Sequence, residues 1–149
     1  MTTLIPEGFT HHHVWLNRAF ARQAKDIGGA SLQLWEHLAQ ELIGIIGEVG
    51  FDSLYSRCIY LLQSKNPEFS CLQLERNAAS ISARFTQLKL QLNQQEPVLA
   101  ELASRTLFDT FLQLLSNLIG VGLTLNILQV AWNGVFPEQQ DAVQKQLTP

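Results

Sequence analysis

Charge is scarce in this chain: Asp, Glu, Lys and Arg make up 15% of its 149 residues, where an average globular protein carries roughly a quarter. The charges sum to −3, and the ten Lys and Arg are scattered instead of forming a stripe. Nothing here attracts a phosphate backbone, so nucleic acid is not an expected partner. Cysteine is nearly missing as well. Cys58 and Cys71 cannot build a disulfide framework, and their spacing fits no zinc or redox motif. Cys58 falls on an apolar helical face and reads as a small core residue. The Walker loop, HExxH, GxSxG and CxxC are all absent, so the sequence names no catalytic template and calls for no cofactor. The opening "MTTLIPEGF" has no basic start followed by an apolar run. No export signal is expected, and a reduced cytoplasmic compartment follows as the default.

Amides take the place of charge. Fifteen Gln and seven Asn are spread along the chain at helical spacings. No segment shows sustained strand-like alternation, and the periodicity predicts one all-α domain over 1–149, a compact bundle of five to six antiparallel helices. The first helix covers about 11–24, capped by Thr10, with Leu16, Phe20 and Ala24 inward. Ser31 is the expected N-cap of the second, whose inward stripe is Leu32, Trp35, Leu38, Leu42, Ile45, Ile46 and Val49. Gly44, Gly47 and Gly50 recur at its end, and Gly50 is the expected left-handed terminus. Asp52 then caps a third helix with Leu54, Cys58, Leu61 and Leu62 inward. The short link makes these two helices antiparallel neighbours. Residues 66–79 fit neither template and read as a loop with one helical turn. A fourth helix covers about 79–94. Pro97 suits the first turn of a fifth, which runs to about 119 on Leu99, Leu102, Phe108, Phe111, Leu115 and Leu118. A sixth follows over 123–133, and residues 138–149 form a polar tail.

From Thr110 to Pro137 there is no charged side chain, a stretch of 28 residues, longer than the roughly 20 that a bilayer span needs. Two features argue against a span. Gly120 and Gly122 break the stretch, and its polar residues follow helical geometry. Arg105, Asp109, Gln113 and Asn117 form one stripe, and Asn126, Gln129 and Asn133 another. Unpaired amides in lipid would each cost on the order of kilocalories. An amphipathic hairpin is expected instead, central in the bundle or buried at an interface, because the sixth helix has a very wide apolar face. A homodimer is the expected assembly, alongside a possible protein partner. Phe111, Leu115, Leu125, Leu128 and Trp132 are the expected contact residues, since aromatic and aliphatic anchors carry most interface energy.

The histidines offer the one alternative. His11, His12 and His13 fan around roughly 200° of a helix and cannot all ligate one ion. His37 stands four residues before Glu41, a spacing that places two ligands on one face. A site would need a third ligand, such as His13, brought in by folding. The glycines at 44, 47 and 50 follow a helix and so do not form a phosphate cradle, which precedes one. Arg105 and Asp109 read as a surface ion pair. The sequence thus describes a non-enzymatic interaction or regulatory domain that associates with itself through its last two helices. Its alternative is a metal or small-ligand sensor built on His37, Glu41 and His13.

Overall fold

Capping side chains set the start of two of the five helices. The computed structural model describes residues 12–22, 25–69, 72 and 80–133, apart from the side chains of His12 and His13, and the regular structure among them is all helical. Helix α1 spans His12–Arg22, α2 Ile27–Lys65, α3 Ile81–Asn93, α4 Pro97–Ile119 and α5 Val121–Asn133, with a 3-10 turn at Pro67–Phe69. The expected Thr10 cap, Cys71, most of the 66–79 loop and the polar tail lie outside the described residues. An all-α bundle is the fold.

Asp26, not Ser31, caps α2: its carboxylate accepts from the Gly29 N–H at 2.9 Å. Asn93, at the end of α3, donates to the same carboxylate at 3.0 Å and accepts from the Gly28 N–H at 2.9 Å. The Asn93 and Gly29 bonds, with Lys89 nearby, hold the Asp26 carboxyl below its ordinary value. Ser80 caps α3 by accepting from the Ala83 N–H, and Pro97 occupies the first turn of α4 as its spacing predicts. Ser31 has another use. It is fully buried inside α2, and its hydroxyl meets that of Ser104 on α4 at 2.5 Å.

Helix α2 breaks at Gly47, where φ is 80° and ψ 165°, a region open to little but glycine. Trp35 stands twelve residues before this joint and Tyr55 eight after it, which on a straight helix would separate them by roughly 30 Å. Their rings are 5.2 Å apart, so the second half of α2 folds back on the first. The expected antiparallel pair is present, but it turns at Gly47 instead of Gly50. That earlier break rotates the following residues, leaving Val49 exposed and Phe51 buried in its place, while Ile45, just before the break and also expected inward, is exposed.

The other helices pack against this hairpin. Helix α3 runs antiparallel to the first half of α2, with Asn93 beside Gly28 and Phe85 against Trp35. It therefore starts at the same end as the second half. Helix α4 runs parallel to the first half of α2: Ser104 meets Ser31, and one turn on, Phe108 stacks on Trp35 at 4.3 Å. Its buried side is lined by Ala100, Ala103, Ser104 and Leu107, small at the start so that α4 approaches closely. Leu102 and Leu118, expected inward, are exposed. Gly120, at φ 95° and ψ 153°, turns the chain directly into α5, which begins at Val121 and not at Leu123. The indole of Trp132 then reaches back to donate to the Leu34 carbonyl at 3.1 Å.

Removing one hydroxyl of the serine pair leaves the other buried without its partner. Ser31→Ala and Ser104→Ala should each lower unfolding free energy by about 1–3 kcal/mol. The double variant should lose less than the sum of the two, as denaturant titration of the cycle will read. Gly47→Ala places a Cβ at a positive φ and should cost about 1–3 kcal/mol in the folded monomer.

Candidate functional site

The last part of α4 together with α5 presents a surface with no ionised group. Between Thr110 and Asn133 there is no Asp, Glu, Lys or Arg. Its exposed polar side chains are the amides Gln113, Asn117, Asn126 and Gln129, at the helical spacing the sequence indicates. Among them stand Leu118, Leu123 and Val130, exposed by 66%, 44% and 60%. Such aliphatic exposure beside amides is chemically suited to contact with another uncharged surface, because nothing ionised has to be stripped of water.

The expected contact residues sit elsewhere. Phe111, Leu115, Leu128 and Trp132 are fully buried in the protomer's own core, and Leu125 is half-buried. Phe111 lies edge-on to Trp35 at 5.0 Å, and Trp132 packs on Phe108 and Trp15. A side chain used in this way offers no surface to a second copy. The wide apolar face of α5 is wide because it fills the groove between α4 and the first half of α2. Leu118, Leu123 and Val130 are what remains outside.

Arg105 makes its ion pair with Glu101, one turn back, at 3.3 Å, while its guanidinium lies 5.2 Å from the centre of the Phe20 ring. At the other end of the chain, His13 lies in α1, but its side chain falls outside the described residues, as does all of His11. His37 turns one of its ring nitrogens, Nδ1, to the Gln33 carbonyl at 2.8 Å. Helical side chains lean toward the N-terminus, and this bond uses that lean, one turn away from the exposed Glu41. Among the described residues no three of His, Cys, Asp and Glu are grouped to hold a metal ion.

A depression of about 240 Å³ opens between the second half of α2 and the start of α3, lined by Glu48, Asp52, Ser80 and Arg84 among others. Three of its polar side chains are engaged. Arg84 grips Asp52 through two nitrogens, one of them Nη2 at 3.3 Å, and Ser80 is committed to its cap. The indole nitrogens of Trp15 and Trp35 are buried with no hydrogen-bond partner among the described residues, and Trp35 has mainly ring faces around it.

Cys58 is fully buried, and burial pushes its thiol up to about 12. A thiol of that kind is inert. In a Cys71→Ser background, Cys58 should resist iodoacetamide at pH 8 in the folded protein and react within minutes in denaturant; rapid labelling of the native state, followed by mass spectrometry, would contradict the burial.

Among the described residues no helix is long and apolar enough to cross a membrane. No family model matches the chain, nor does any curated protein or solved structure.

Proposed function

We propose that the protein acts by binding, first to a second copy of itself, through the outward surface of the α4–α5 hairpin. One observation carries this reading: residues 110–133 expose Leu118, Leu123 and Val130 among amides, with no ionised side chain anywhere in the stretch. Depletion of charge from a patch with aliphatic residues at its centre is the compositional mark of an interface core. The choice of a second copy follows from electrostatics. In a two-fold contact each residue near the axis meets its own counterpart, so any charge there faces a like charge. This surface avoids that conflict, although the chain as a whole carries −3.

Sedimentation should find the wild type as a concentration-dependent dimer. Leu118→Glu with Leu123→Glu should shift it to monomer with helix content unchanged. A wild type that stays monomeric at high micromolar concentration would remove the proposal.

A further inference from the structure

The parallel pairing of α4 with the first half of α2 keeps one register. Ser31 meets Ser104 and Trp35 stacks on Phe108, each 73 residues on, and the same step relates the two positive-φ glycines, Gly47 and Gly120. Every residue that is buried between Ala30 and Ile59 has a buried counterpart 73 residues further along. In the reverse direction, between Ala103 and Trp132, Ile127 is the one exception, and its counterpart Leu54 is half-buried against the core. Any two amphipathic helices can be laid over each other, but a break at a positive φ resets the helical phase. Agreement on both sides of the break therefore requires the two hairpins to turn alike. Their glycines do so, at φ 80° and ψ 165° for Gly47 and φ 95° and ψ 153° for Gly120.

The contacts between the hairpins are reciprocal as well. The returning arm of each leans on the outgoing arm of the other: Phe51, in the second half of α2, lies 5.4 Å from Phe111 of α4, and Trp132 of α5 donates to the Leu34 carbonyl. The short helices ahead of the hairpins cross over in the same way. Phe85 of α3 lies on Trp35, while Trp15 of α1 lies edge-on to Trp132 and Phe20 lies under Arg105. Leu16 and Phe20, buried in α1, stand 72 residues before Leu88 and Leu92, buried in α3. Equivalent residues that meet each other directly, with like elements exchanging contacts on either side, are the geometry of a two-fold axis.

We infer that the chain is an internal duplication: two three-helix units, 12–65 and 80–133, paired like to like about a pseudo-two-fold axis that passes between Ser31 and Ser104. Each unit is the partner that the other's inner face fits. Identical residues recur at Ser31/Ser104, Leu34/Leu107, Leu42/Leu115, Ile46/Ile119 and Gly47/Gly120. The chain is in effect a covalently joined dimer of a smaller unit, and its like-to-like face is already filled within one protomer. The inference is therefore independent of self-association between whole chains, which concerns the outward surface.

A two-fold axis that exchanges position 40 with 113 and position 57 with 130 makes the distance from Gln40 to Val130 equal to that from Gln113 to Arg57. All four positions are exposed. The test places cysteines in these two pairs in a Cys71→Ser chain, where the buried Cys58 is closed to the label, and attaches nitroxide spin labels. Dilution with unlabelled protein leaves only distances within one chain to be read by double electron–electron resonance. With helix content unchanged by circular dichroism, the two distances should agree to within one helical turn, about 5 Å. The within-unit distances, from position 40 to 57 and from 113 to 130, should agree equally well. Cross-axis distances that differ by more than a turn would overturn the two-fold pairing, and unequal within-unit distances would overturn the equivalence of the hairpins.

Discussion

Trp35 is the contact around which the bundle is arranged. It is fully buried, stacked on Phe108 and Phe85, and met edge-on by Tyr55, Phe51 and Phe111. Those rings come from the second half of α2, from α3 and from α4, so one side chain fixes three elements relative to the first half of α2. Aromatic pairs of this kind contribute roughly 0.5–1.5 kcal/mol each beyond the area they bury. The stack alone would tolerate some sliding. The buried Ser31–Ser104 pair does not, because a shift of α4 by one turn would separate two hydroxyls that have no water to turn to. Ring stacking supplies adhesion and the hydroxyl pair supplies register. With α4 held at this level, Gly120 comes level with Gly47, and α5 returns far enough for Trp132 to reach the Leu34 carbonyl.

Much of this arrangement is legible in the sequence, and the failures have physical causes. Pro97 and the glycine before Val121 bound α4 as their chemistry predicts, because a missing N–H and a positive φ leave few alternatives. Ser31 misleads because a serine ahead of an apolar stripe can serve as a cap or as a buried partner, and its partner is 73 residues away. Gly47 and Gly50 are indistinguishable as helix terminators until Trp35 selects which turn brings Tyr55 and Phe51 onto it. The contact residues expected on the last two helices fail for a related reason. Periodicity identifies Phe111, Leu115, Leu128 and Trp132 as apolar and helical, but whether their neighbours come from the same chain or another is a tertiary fact. The signal that could have separated the two is the run of small residues at Ala100, Ala103 and Ser104, which requires a close neighbour on that side of α4.

The duplicated plan was open to the same reading, yet periodicity alone hides it. Two amphipathic helical hairpins resemble each other in pattern whatever their origin. A fixed step of 73 residues that holds for a serine pair, a ring stack and two positive-φ glycines is a stronger statement, since it concerns register instead of composition. Like-to-like pairing also explains why a serine lies in this core at all: near a two-fold axis a residue meets its own equivalent, and two hydroxyls satisfy each other where one would be stranded.

That pairing leaves the surface amides to be explained. In the first unit the outward positions carry Glu41, Glu48, Asp52 and Arg57, groups that bind water too tightly to be covered cheaply. In the second, Gln113, Asn117, Asn126 and Gln129 stand beside aliphatic residues. An amide costs much less to desolvate than an ion, and it carries both donor and acceptor, so it can pair with an identical amide across a two-fold axis where two carboxylates would repel. A surface of amides and aliphatic residues can therefore meet water in one protomer and be covered by another without a change of protonation or of fold. The shortage of charge that the sequence shows is thus unevenly distributed. It is concentrated in residues 110–133, the last part of α4 and all of α5.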